Sequence, residues 1–259
     1  MRSTNAARVG GAALIVGALG FVAVFAYLAA RFDYPAVLDG TAADVLPRLL
    51  ATGDAGRRAW ALYAFLPLIW IPAGVGAFHA LRHVNEGAMR AAMLFAALSA
   101  VAMILGLARW PSIHWELAQT YVAGGAGEKA VLASVFDGLN TYLGNYVGEF
   151  LGELSFSVFF LLSAGAMLHP HSGFPRWLGY AGLLTGVLGL VGMFRNVTGA
   201  VDVVAEIDNY LLPAWMIAFG IGLLRAKDHD RLGLARPLVM AGSSPGVRTE
   251  PVPTASSPL

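Results

Sequence analysis

The chain has 259 residues, of which 57% are hydrophobic and 13% charged, with a formal net charge of +1. Soluble domains average about 45–50% apolar and about 25% charged residues, so this composition is typical of a membrane domain and leaves little sequence for a soluble one. The near-neutral charge excludes a bulk electrostatic partner such as nucleic acid. Because the sequence contains no cysteine, it also excludes disulfides, Cys-ligated zinc and iron–sulfur clusters.

Six apolar stretches are candidate membrane spans, because about 20 apolar helical residues cross a bilayer core about 30 Å thick. They cover residues 9–30, 59–81, 91–108, 154–168, 177–194 and 209–224. The first follows Arg2 and Arg8, but its 22 uncharged residues exceed the apolar region of a signal peptide, so we expect a retained helix. Pro67 and Pro72 should bend the second helix. The sequence therefore predicts an all-α, polytopic membrane bundle of six transmembrane helices.

Amphipathic segments occur in the connections between these spans. Residues 44–50 place apolar side chains at helical spacing, which predicts a short helix lying on the membrane surface. In the longest connection, Pro111 can open a helix, glycines near residue 125 interrupt it, and residues 131–143 predict a second amphipathic helix that leads into the fourth span. We expect these amphipathic helices to cap the outer end of the bundle.

The distribution of basic residues favours cytoplasmic termini. With the N-terminus inside, the inner segments carry ten Lys and Arg residues and the outer segments carry seven, and cytoplasmic loops are enriched in these residues. The preference for Arg over Lys, with abundant Ala, Gly and Val, indicates a GC-rich bacterium and hence the plasma (inner) membrane. We expect a transmembrane domain over residues 1–226 and a disordered, Pro/Ser/Gly-rich cytoplasmic tail over residues 227–259. His169 and His171, in an inner loop, are interpreted as interfacial residues.

Charged residues concentrate at the outer ends of the predicted helices. The apolar run over residues 154–168 is 15 residues long, or about 22 Å, and is too short to cross the bilayer core. Residues before it must therefore enter the membrane, and among them Glu149 and Glu153 are four positions apart and share one helix face. Other polar residues at the neighbouring helix ends complete the candidate ligand-binding site: Arg109, Arg195, Asn196 and Asp208.

This charged patch has two interpretations. Charges within membrane spans are costly and usually face water or the bundle interior, which favours a ligand or ion site. The alternative is a structural ion-pair network in the headgroup layer. His114 and Glu116 lie near the same end, but neither H-E-x-x-H nor a repeated His/Glu helix motif occurs, so we predict no metal site and no cofactor.

Glycines recur at helical spacing on the fourth and fifth helices. Such ridges of small residues let helix backbones approach closely in lipid. They are consistent with packing inside the bundle and, as the alternative, with an oligomer interface. The ridge positions are Gly144, Gly148, Gly152, Gly179, Gly182, Gly186 and Gly189.

Three short motifs carry a resemblance to a known family. Arg31-Phe32-Asp33-Tyr34-Pro35 follows the first span, Gly148-Glu149-Phe150-Leu151-Gly152 opens the fourth, and Pro175-Arg176-Trp177-Leu178-Gly179 opens the fifth. Over roughly residues 10–225 the chain resembles a bacterial multi-span membrane family annotated only as a domain of unknown function. The resemblance supports the topology, and it implies no catalytic residues because the family has none assigned.

The function expected from the sequence is that of a non-enzymatic binding or transport-related protein, which holds a small polar or amphipathic ligand at the outer mouth of a bundle embedded in the lipid bilayer. One alternative is a membrane-embedded enzyme that uses Glu149 or Glu153 as a general acid–base. The other is a structural or regulatory membrane subunit without a small-molecule site. Helices one to three offer few polar groups in mid-membrane, which counts against a channel and, less strongly, against a transporter.

Overall fold

The computed structural model describes residues 3–226, and across this range the chain is helical with no β-strand. The expected tail over residues 227–259 lies outside the described residues. The fold class predicted from composition and apolar patterning, an all-α bundle, is confirmed.

Within the described residues, six helical stretches are long and apolar enough to cross a membrane, as predicted. Their ends extend beyond the apolar runs of the sequence, because polar residues at both ends continue the helices. The stretches are Thr4–Phe32, Gly53–Leu81, Glu86–Ala123, Ala126–Met167, Arg176–Asn196 and Gly199–Arg225.

Several of these stretches consist of more than one helix. The first is the single helix α1 (Ser3–Phe32). After a short helix α2 (Ala42–Ala51), the second stretch contains α3 (Gly53–Phe65) and α4 (Trp70–Leu81), joined by a 3₁₀ turn at Leu66–Ile69. Pro67 lies inside that turn, which agrees with the expected bend, since proline removes one helical hydrogen bond.

The third and fourth stretches are the longest. The third contains α5 (Glu86–Ala108) and α6 (Ile113–Ala123), and the fourth contains α7 (Ala126–Leu139), a π-helical segment (Asn140–Leu151) and α8 (Gly152–Met167). The fifth is α9 (Arg176–Gly192) with a final 3₁₀ turn, and the sixth is mainly α10 (Asp202–Arg225). We refer to Asn140–Leu151 as the π segment.

The long helices form a closed circle in which each packs on its neighbours in the chain. Helix α1 contacts α4, α4 contacts α5, α5 contacts α8, α8 contacts α9, α9 contacts α10, and α10 returns to α1. Aromatic side chains fill the centre, where Phe160 packs on Phe156, Phe159 and Trp215. Because consecutive spans pack side by side, neighbouring helices are antiparallel. The end of α1, the end of α5 and the start of α8 therefore lie together at one end of the bundle. We call this the polar end.

Helices α2, α6 and α7 pack together at the polar end, as expected for caps. The expectation that the first amphipathic helix lies on the membrane surface is wrong. Val45, Leu46 and Leu49 on α2 are fully buried in a cluster that also contains Trp60 and Trp110. Burial against these rings removes the apolar face of α2 from lipid as well as from water.

The glycine ridges pack within the chain. A Cβ placed on Gly148 would lie 2.7 Å from the Cα of Gly106 on α5, and one on Gly179 would lie 2.6 Å from Leu168 of α8. The other ridge glycines are buried as well. These ridges are therefore occupied by contacts inside the bundle, and the proposed oligomer interface through them gains no support.

Candidate functional site

The candidate site lies where the π segment meets α8 at the polar end. A π-helix closes i→i+5 hydrogen bonds and turns less per residue than an α-helix, and such segments often occur at functional sites. Glu149 lies in the last turn of the π segment and Glu153 in the first turn of α8. The two glutamates thus straddle the change of helix type, and both still reach the same partner.

That partner is Arg195, in the 3₁₀ turn Met193–Asn196 that ends the α9 stretch. Its Nη2 lies 3.0 Å from Glu149 Oε2 and 2.8 Å from Glu153 Oε1. The Arg195 Nε also donates to Glu149 Oε2, at 3.2 Å. The side chains of Arg195, Glu149 and Glu153 keep 29%, 21% and 23% of their surface exposed, so the ion pairs are mostly buried but reachable from outside.

Asn196 completes this arrangement, because its Nδ2 donates to Glu149 Oε2 at 2.6 Å. Four of the six residues named from the sequence therefore meet: Glu149, Glu153, Arg195 and Asn196. Their convergence follows from helix ends that come together at one level of a closed bundle. With Asp208, described next, we call them the carboxylate cluster.

Asp208 lies in the second turn of α10 and is only 9% exposed. Its negative charge is close enough to repel that of Glu153. One oxygen, Oδ1, is buried and has no hydrogen-bond partner among the described residues. The other, Oδ2, lies beside Gly189 of α9, which also faces the Ser157 hydroxyl. Asp208 is therefore the carboxylate of the cluster with an unused acceptor.

Arg109 lies close to the cluster, but it is not paired with a carboxylate within the described residues. Its Nε and Nη2 both donate to Asn140 Oδ1, at 3.3 and 3.0 Å, and its Nη1 donates to the Gly106 carbonyl at 2.5 Å. The guanidinium also stacks over Trp110, with 5.0 Å to the ring centroid. It interacts with Glu149 through its charge, so Arg109 borders the cluster without entering it.

The structure adds two tyrosines that were not named as site residues. Tyr34 and Tyr63 hydrogen-bond to each other, and the charge of Glu149 acts on Tyr34. Burial, followed by the nearby Glu149 carboxylate, raises the pKa of Tyr34, so the phenol stays neutral and can donate. The signal in the sequence for Tyr34 is the motif over residues 31–35, which carries the family resemblance but does not indicate a site.

His114, considered above as a metal ligand, lies in a different environment from the carboxylate cluster. His114 is fully buried between Trp110 and Phe136, whereas Glu116 is exposed and pairs with Arg57 at 3.5 Å. The residues described by the structure contain no group of three or more His, Cys, Asp or Glu side chains placed to hold a metal ion. The carboxylate cluster is held together by hydrogen bonds and ion pairs.

The fold and the cluster define the class of protein: a multi-pass, all-α membrane bundle with an arginine–carboxylate cluster at one end. The chain belongs to the family described as a domain of unknown function, DUF4386, whose model matches residues 9–224. The match confirms an uncharacterised family over nearly the range expected from the sequence. No curated protein and no solved structure matches the chain.

Proposed function

We propose that the protein binds a small organic cation at the carboxylate cluster. The observation that carries this proposal is the Oδ1 atom of Asp208, which is buried without a hydrogen-bond partner in a side chain only 9% exposed. An unpaired polar group in low-dielectric surroundings costs several kcal/mol, or about 2–7 for a neutral group and more for an ionised one. A cationic ligand that donates to Oδ1 removes this cost.

The charge balance of the cluster favours a cation over an anion. Arg195 contacts both glutamates and so offsets their charge in part. Arg109 is the other buried guanidinium in this region, and its donors already point to Asn140 and Gly106. Asp208 adds a third carboxylate, and its Oδ1 has no hydrogen-bond partner among the described residues. The carboxylates of the cluster therefore outnumber the guanidinium groups that pair with them.

The neighbouring side chains suit an organic ammonium group rather than a metal ion. Phe150 follows Glu149 in the chain, and its ring packs edge to face on Phe194, with the centroids 5.3 Å apart. Phe194 is itself partly exposed beside Arg195. Aromatic rings attract alkylammonium groups through their negative faces, with about 0.5–2 kcal/mol each. A cation with an apolar body would use both the rings and the carboxylates.

The test compares choline with 3,3-dimethylbutan-1-ol, a neutral molecule of nearly the same shape, on the full-length protein purified in detergent. Choline should raise the melting temperature and bind in calorimetry, whereas the neutral alcohol should do neither. Asp208→Asn keeps the shape and removes the charge, so choline affinity should fall at least tenfold. The matched control is Glu206→Gln, an exposed acid on the same helix, which should bind like the wild type.

Two results would contradict the proposal. Equal binding of choline and its neutral analogue would show that the charge is not recognised. Unchanged choline binding in Asp208→Asn would show that the cation binds elsewhere. If neither probe binds and Asp208→Asn is more stable than the wild type, the cluster is the structural ion-pair network considered above.

A further inference from the structure

A groove lies at the opposite end of the bundle, far from the carboxylate cluster. Helix α5 ends beside Arg109 and α8 begins beside Glu153, so the start of α5 and the end of α8 lie together at the other end. There the two helices leave a groove of about 320 Å³, at the lower end of the about 300–1,000 Å³ typical of small-molecule sites. Its walls include Ala88, Leu161 and Leu162, and Gly165 and Ala166 also line it.

The ends of this groove are polar. Asn85 caps the start of α5, where its Oδ1 accepts from the Ala88 amide at 3.0 Å. His169 lies at the other rim, where its Nδ1 accepts from the His171 amide at 3.3 Å. Because Nδ1 accepts, a neutral His169 ring carries its proton on Nε2, which can donate to an anionic oxygen. The groove thus combines apolar walls with a hydrogen-bond donor, His169 Nε2, at one end.

The chain on both sides of the groove is basic. The segments over residues 82–90 and 169–176, which include the starts of α5 and α9, together hold three arginines and three histidines, against one acid, Glu86. That acid is paired with Arg90 at 2.6 Å. The two connections also touch, since His83 Nε2 lies 3.0 Å from the His171 carbonyl oxygen. A ligand in the groove therefore meets hydrocarbon along its length, and the chain segments next to its polar end are basic in sequence.

We propose that this groove binds an anionic phospholipid, with one acyl chain along Leu161 and Leu162 and the phosphate at His169. Basic pockets between transmembrane helices are suited to anionic lipid headgroups, because nearby Lys and Arg side chains attract the negative charge of the headgroup. A zwitterionic lipid offers the same hydrocarbon without the net charge. The site is separate from the carboxylate cluster, so this inference does not depend on cation binding there.

Gly165 provides a direct test, because a Cβ on this residue would meet no atom within 4 Å. Gly165→Leu therefore introduces a larger side chain into the groove wall at a position with room for its Cβ. Gly138 on α7 is equally open, so Gly138→Leu is the matched control. The measurement is native mass spectrometry of the full-length protein in detergent, with dioleoyl-phosphatidylglycerol in competition with dioleoyl-phosphatidylcholine.

The wild type and Gly138→Leu should retain phosphatidylglycerol at least fivefold over phosphatidylcholine, and Gly165→Leu should lose this preference. His169→Gln, which leaves the groove open, should lower the retention of both lipids, because both carry the phosphate that we place at His169. Equal retention of the two lipids by the wild type would overturn the proposal. So would an undiminished preference in Gly165→Leu, provided that its melting temperature without added lipid matches that of the control.

Discussion

At the residue scale, Arg195 is the side chain on which the carboxylate cluster depends. It bonds to Glu149 in the π segment and to Glu153 in α8, with about a quarter of its surface exposed. Removing one partner of a mostly buried ion pair leaves an uncompensated charge, which is more costly than the pair was favourable. The contrast is the pair of Arg48 and Asp33, where both side chains are more than half exposed.

We therefore predict that Arg195→Gln lowers the free energy of unfolding by about 3 kcal/mol or more. Arg48→Gln removes the same charge from an exposed pair and should cost less than about 1 kcal/mol. Both can be measured by denaturant titration of the purified protein in detergent. Equal effects of the two substitutions would mean that water screens the carboxylate cluster as fully as it screens a surface pair.

The residues of the cluster differ in how far the sequence could predict them. The sequence predicts Glu149 and Glu153 as site residues because the apolar run after them is too short to span a bilayer. It predicts Arg195 because this residue ends a helix on the same side of the membrane. The unused oxygen of Asp208 and the contact between Tyr34 and Tyr63 depend on side-chain positions across helices, which spacing along one chain does not specify. For the same reason, the sequence predicts that Arg109 lies near the cluster but not that it donates hydrogen bonds to Asn140.

At the scale of secondary structure, the π segment depends on a close contact between backbones. Gly148 faces Gly106 on α5 so closely that a Cβ on either residue would lie within 2.7 Å of the other's Cα. One turn earlier, Gly144 lies against the Arg109 guanidinium. These two glycines set the distance between the π segment and α5, and through it the position of Glu149.

A matched pair of glycine substitutions tests this contact. Gly148→Ala should destabilise the protein by about 1–3 kcal/mol, because the new methyl group meets backbone that cannot rotate away. Gly138→Ala, at an open position of α7, should instead stabilise it by about 0.5–1 kcal/mol, because alanine favours the helix. Thermal unfolding of both variants gives the comparison. A neutral Gly148→Ala would mean that α5 and the π segment can separate without cost.

The boundaries of the helices show where the apolar pattern is informative. The apolar pattern predicts all six spans, but it places the start of the sixth at residue 209, whereas α10 begins at Asp202. The first turns of α10 are acidic and partly exposed, so they carry no apolar signal although the backbone is helical. Likewise, the amphipathic pattern of α2 was read correctly as a helix, but the same pattern suits burial against Trp60 and Trp110 as well as contact with lipid.

At the scale of the whole molecule, the closed circle of six spans has a consequence for topology. An even number of crossings returns the chain to the side where it started, so Ser3 and Ala226 lie at the same end of the bundle. The groove with its basic connections is at that end, and the carboxylate cluster is at the other. A basic end in the cytoplasm agrees with the enrichment of Lys and Arg in cytoplasmic loops.

We therefore predict that the end holding Ser3 and Ala226 faces the cytoplasm. Alkaline phosphatase, which is active only outside the cytoplasm, should be inactive when fused after Arg225. The same reporter inserted after Gly125, in the exposed break between α6 and α7, should be active, and a fluorescent protein that folds only inside should show the reverse. High phosphatase activity after Arg225 with none after Gly125 would show that the orientation in the membrane is the reverse of the predicted one. The carboxylate cluster would then open to the cytoplasm and could recognise only cations present there.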